Sequence, residues 1–101
     1  MFYVVSIEVC NAGETREVVF VLEAGYPSLT ALAEALRADG FIEGHRHNTR
    51  FGEGRRREVK GPRVQCLVTR QSIRQVTELT ETLISASGDV LFDGKGAADA
   101  A

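Results

Sequence analysis

The chain has 101 residues, with 12 Lys+Arg against 14 Asp+Glu for a formal net charge of -2, and 44% of its residues are apolar. That is the composition of one small globular domain, and it is too apolar for a disordered chain. The longest unbroken aliphatic or aromatic run, Val18 to Leu22, falls far short of the roughly 18 residues a membrane-spanning helix requires, so no membrane partner is expected.

The opening Met1-Phe2-Tyr3-Val4-Val5 lacks a basic leader region and reads as a strand, so no signal peptide is expected. Cys10 and Cys66 are too few for a disulfide framework, which points to a reduced, cytoplasmic chain. Both lie at or near the ends of apolar strand patterns and read as buried structural thiols.

Phe2 to Val9 is β-branched and aromatic, with Tyr3, Val5, Ile7 and Val9 on one face and Phe2, Val4, Ser6 and Glu8 on the other. Asn11-Ala12-Gly13 supplies a turn, and Glu17 to Glu23 returns as the second strand of an antiparallel hairpin. Ser28 then N-caps a helix whose apolar stripe is Leu29, Leu32, Ala33 and Leu36, and Gly40 ends it. Val64 to Thr69 reads as a strand with Val64, Cys66 and Val68 on one face. Thr69 or Ser72 is expected to cap a second helix, with Ile73, Val76, Leu79 or Thr80, Leu83 and Ile84 inward and Gly88 at its end. Asp89 to Phe92 reads as a last short strand. Residues 1–93 therefore form one domain, and residues 94–101 form a disordered tail with no large apolar side chain to bury.

The expected fold is α+β: an antiparallel sheet with two helices on one face, in ββα-ββ-αβ order, carrying a basic β-hairpin arm at about 45–60. One conflict follows. The first hairpin is apolar on both faces, and two helices on one side leave Phe2, Val4, Val19 and Val21 uncovered. A homodimer packed sheet to sheet would cover them; so would a bent strand, the tail or the middle segment of the same chain.

That middle segment, residues 45–63, stands apart. Seven cations (Arg46, Arg50, Arg55, Arg56, Arg57, Lys60 and Arg63) face only Glu53 and Glu58, giving +5; the remaining residues sum to −7. A near-neutral total conceals a polarised chain. Gly52-Glu53-Gly54 reads as a three-residue loop pairing Phe51 with Arg55, Thr49 with Arg57 and His47 with Val59. Neither face of that hairpin has the apolar area to join a core, so it should project or lie along a surface, hinged by Gly44, Gly61 and Pro62.

Signatures of catalysis are missing: there is no CxxC, HExxH, P-loop or G-x-S-x-G, and Ser, His and Asp show no ordered arrangement. His45 and His47 would share one side of a strand, but Cys10, Glu43 and Cys66 stand at no ligand spacing, so no metal or other cofactor is expected. Glu8 and Glu23, which could face each other on the first hairpin, read as solvated carboxylates rather than a catalytic pair. The expectation is a non-enzymatic binding module whose Arg46, Arg50, Phe51, Arg55, Arg56, Arg57, Lys60 and Arg63 contact a nucleic acid backbone, DNA or RNA. Guanidinium groups would take phosphates, and Phe51 would stack on a base. The alternative is an adaptor or inhibitor docking on an acidic protein surface through the same arm and the apolar sheet face. The plainest reading of the arm is a solvated, charge-rich loop.

Overall fold

The structure, a computed structural model, describes residues 1–94. Apart from Gly94, the tail expected at 94–101 lies outside the described residues. Gly94 itself is buried, and its N–H donates to Thr82 Oγ1 at 3.0 Å.

Strands β1 (Phe2–Asn11) and β2 (Glu14–Glu23) form the expected hairpin. Ala12 and Gly13 both take positive φ, 54° and 81°, as a two-residue turn that follows strand twist requires. The register opposes Glu8 to Glu17, not to Glu23, which correspondingly opposes Phe2. Helix α1 (Leu29–Asp39) is capped by Ser28, whose hydroxyl accepts from Ala31 N–H at 3.1 Å, and closed by Gly40 at φ 79°. Leu32 is buried with Leu29 and Leu36 beside it; Ala33, expected in that stripe, is exposed. Strand β3 (Phe41–His47) runs beside β2, and β6 (Val64–Thr69) beside β3. Gly44 is required in β3 because any Cβ there would collide with the Glu23 carbonyl.

The expected second helix is not formed. Its residues make β7 (Ile73–Glu78), which pairs with β1, and β8 (Thr82–Ile84). The physical reason lies in the spacing. The β1–β7 register slips between Ser6 and Ile7, so Arg74 is an extra, bulged residue. A bulge puts Ile73 and Val76, three apart, on the same face of a strand, and both pack on the helix-side core. Leu79 and Leu83 meanwhile turn to a different core on the opposite face. One supposed helical stripe thus serves two layers. Gly88, expected to end the helix, sits in the turn between β8 and β9 (Val90–Phe92) at φ 95°.

The result is a five-stranded antiparallel sheet, β6-β3-β2-β1-β7, with α1 on one face and a second, four-stranded sheet on the other. The second sheet is ordered β4-β5-β8-β9, where β4 is Thr49–Phe51 and β5 is Arg56–Val59. The helix-side core holds Tyr3, Val5, Phe20, Leu22, Leu32, Ile42 and Val68. The core between the sheets holds Val21, Leu79 and Leu83, with Phe2, Val4, Val59 and Phe92 packed around it. The face assigned to a homodimer is therefore largely covered within one chain: Val21 is buried, Phe2 and Val4 are half-buried, and Val19 remains 48% exposed.

The cysteines also depart from expectation. Cys10 is exposed near the hairpin tip, beyond both sheets' cores, and Cys66 is half-buried, where burial pushes its thiol pKa up against the opposing charge of Arg46.

Leu83 is fully buried where the two sheets meet. Leu83→Ala should cost about 2–5 kcal/mol of unfolding free energy. A loss below about 1 kcal/mol in urea titration would mean that the second sheet does not pack on the first.

Candidate partner-binding surface

The basic segment does not project as an independent arm. Residues 45–47 belong to β3 in the main sheet, with His45 opposite Glu23 and His47 opposite Val21. The chain leaves that sheet at Asn48 and enters the second one as β4. The β4–β5 hairpin opposes Phe51 to Arg57 and Thr49 to Val59, with Gly52 N–H donating to Arg56 O at 3.1 Å. Its three-residue loop is Glu53–Arg55, one residue later than the glycine spacing suggests, and Gly54 takes the positive φ of 67°. A two-residue shift preserves which side chains share a face. It also lets Val59 reach the inter-sheet core, so the hairpin docks instead of standing free. The apolar area it lacks is supplied by Leu83 on the adjoining strand β8 and Phe92 on β9 beyond it.

Docking commits several of the cations. Arg57 is largely buried, its Nε donating to Glu81 Oε1 and its guanidinium stacked 4.5 Å from the Phe51 ring centre. Burial pushes the Glu81 carboxyl up, but the hydrogen bond and charge of Arg57, with the Thr80 hydroxyl, outweigh it and leave its pKa lowered. Arg63 reaches Glu23 at 3.3 Å, and Arg50 reaches Glu58 at 3.3 Å. Arg46 lies 4.4 Å over the Phe20 ring and donates to Asn48 Oδ1 at 2.9 Å. Arg55, Arg56 and Lys60 are exposed and take part in no ion pair among the described residues.

By strand alternation, Arg50, Arg56 and Glu58 point away from the inter-sheet core, and Thr49, Phe51, Arg57 and Val59 point toward the main sheet; Lys60, one residue past β5, borders both the outer face beside Arg50 and Glu58 and the gap beside Val18 and Val19. Phe51, at the outer end of its strand, stays 67% exposed with one side covered by Arg57. The structure thus brings Arg50, Arg55, Arg56 and Lys60 to one face and tip. It assigns Arg46, Arg57 and Arg63 to packing and ion pairs.

The residues that composition did not single out are the carboxylates that receive these cations. Glu23 Oε1 bridges His47 Nε2 at 3.0 Å and Arg63 Nη1 at 3.3 Å, at the mouth of a cleft of about 460 Å³ between the sheets. His47 is buried and tilted against the Phe2 ring, 6.1 Å between centres. The hydrogen bond with His47 holds the Glu23 carboxyl below its ordinary range; burial opposes this, and the His47 and Arg63 charges reinforce it. Only the diagonal spacing of Glu23 and His47 across paired strands brings them together, and that depends on the register. Among the described residues no three His, Cys, Asp or Glu side chains cluster to hold a metal. No helix among them is long and apolar enough to cross a membrane.

No protein-family model, curated protein or solved structure matches the chain.

Arg57→Ala would strand a carboxylate that is 19% exposed and should cost about 2 kcal/mol. Arg55→Ala and Arg56→Ala should each stay within about 0.5 kcal/mol of the parent. Equal effects of all three on chemical denaturation would show that the cations are not divided in this way. The Glu23 contact gives a second expectation. Because its folded carboxyl holds a proton less tightly than the unfolded one, its stabilisation is complete above the ordinary pKa of 4.5 and is lost as pH falls through the lower folded value. Glu23→Gln should therefore be less stable than the parent at neutral pH, and the two curves should converge in acid. Curves that stay parallel from neutral pH into acid would refute this role.

Proposed function

We propose that the protein is a non-enzymatic binding module that holds a nucleic acid backbone against the outer face and tip of its second sheet. The observation that carries this reading is the set of three exposed cations, Arg55, Arg56 and Lys60, without carboxylate partners among the described residues where neighbouring cations are neutralised. Arg50, 71% exposed in a surface pair, can exchange Glu58 for a phosphate at little cost, because such pairs contribute little to stability. Phe51, exposed at the hairpin tip on the side opposite Arg50 and Arg56, offers a ring to a base that reaches around the tip. The acidic remainder of the chain repels phosphate and confines the contact to this face.

Three phosphate contacts make a defined expectation for salt. Affinity for double-stranded DNA should fall roughly 40-fold between about 50 and 200 mM monovalent salt, from the ~0.9 counterions released per contact. Changing Arg55, Arg56 and Lys60 together to Ala should weaken binding at low salt and flatten that dependence. Absence of binding by the parent protein to DNA and RNA at low salt, or identical salt slopes for parent and triple variant, would overturn the reading. The protein-docking alternative is favoured by a separate observation, the open edge of β2.

A further inference from the structure

The β1–β2 hairpin outruns the sheet it belongs to. Strand β2 pairs with β3 only through Val21, Leu22 and Glu23, and β1 pairs with β7 only from Tyr3 to Ile7. The two-residue turn at Ala12-Gly13 makes Asn11 and Glu14 a mutually hydrogen-bonded pair. Alternation then directs the backbone groups of Arg16, Val18, Phe20 and Leu22 toward β1, and those of Thr15, Glu17, Val19, Val21 and Glu23 away from it. Strand β3 satisfies Val21 and Glu23. The outward N–H and C=O groups of Thr15, Glu17 and Val19 meet no backbone partner among the described residues.

This edge differs from the outer edges of β6 and β7 because it has a second wall. Where the chain departs the main sheet at Asn48, it vacates the position that β3 would otherwise have continued to fill beside Val19. The vacated slot is an open cleft of about 590 Å³, bounded by Val18 and Val19 on the strand side and by Thr49, Lys60 and Gly61 opposite, with Arg46 at its closed end. Asn48 O is already bonded to Lys60 N–H at 2.8 Å, which fixes the far wall.

We propose that this slot takes an extended, acidic segment of another protein, added to the main sheet as a strand beside β2. Main-chain bonds to Val19 and Glu17 would supply affinity, and alternate side chains would reach opposite faces of the sheet. On one face the guest meets Val18 and the Arg46 guanidinium; on the other it meets exposed Val19 and Lys60. The chemistry asks for carboxylates at the Arg46–Lys60 end and β-branched residues against the two valines. Charge complementarity selects a foreign segment over a second copy. Antiparallel self-pairing of β2 centred on residue 17 opposes Glu17 to Glu17, and centring on residue 16 opposes Arg16 to Arg16, with Glu14 on every hairpin tip.

The test starts from a random peptide library displayed on phage and selected against the intact protein. Selection should yield peptides rich in Asp, Glu and β-branched residues. Bound peptide should slow amide hydrogen exchange at Glu17 and Val19 in the parent protein. Val19→Pro removes one outward donor, and proline is tolerated on an edge strand; it should weaken binding at least tenfold. Lys60→Glu should weaken it several-fold, most at low salt. Val19→Pro should leave DNA binding unchanged, which separates this site from the nucleic acid face. A selection that returns no binder, exchange protection confined to other elements, or peptides that bind the Val19→Pro variant as tightly as the parent would overturn the proposal. So would a parent protein that scatters light as a dimer while the Val19→Pro variant scatters as a monomer, since that outcome gives the edge to a second copy.

Discussion

The rest of the molecule depends on a hairpin that is apolar on both faces. Tyr3, Val5, Phe20 and Leu22 occupy one side of β1 and β2, and Phe2, Val4 and Val21 occupy the other. Side chains on a strand alternate, so a ribbon of this kind has to be covered twice or leave a large apolar surface in water. Helix α1 covers one side. The chain after β6 then performs two tasks: β7 extends the main sheet at its β1 edge, and Leu79, Leu83 and Phe92 provide the second cover. The bulge at Arg74 reconciles these tasks by keeping both Ile73 and Val76 on the helix side.

That second cover determines what becomes of the basic hairpin. Strand β5 pairs in parallel with β8, and Arg57 lies level with Leu83 in that ladder. Pairing brings Arg57 to Glu81, and the path from β3 brings Arg63 to Glu23. A stretch carrying +5 in sequence thereby presents a smaller uncommitted charge at its surface, concentrated in Arg55, Arg56 and Lys60. The ribbon that does project is a different one, the end of the β1–β2 hairpin, and its Glu8, Glu14 and Glu17 outnumber Arg16.

The same departure of the chain at Asn48 connects the two proposed surfaces. It carries the basic hairpin into the second sheet, and it opens the slot beside Val19. One strand cannot continue in both sheets, so building the second layer leaves part of β2 without a strand partner among the described residues. A binding edge and an anion-binding face therefore arise from one topological event, with Lys60 standing between them.

Local patterns alone determined the first hairpin, α1 with its Ser28 and Gly40 caps, β6 to the residue, and the last short strand. In each of these the turn or cap residue and the apolar period agree, and no distant partner has to be known. The charge partition was equally legible, since it is a property of composition along the chain. Tertiary structure decided the rest. Spacing of Ile73, Val76, Leu79 and Leu83 fits a helix as well as a bulged strand divided between two cores; six of the twelve residues from Ile73 to Ile84 are β-branched, which favours the strand, but only β1 offering an unpaired edge settles it. Which arginines stay free was likewise invisible, because their carboxylate partners Glu23 and Glu81 lie 40 and 24 residues away along the chain and meet them only through strand register.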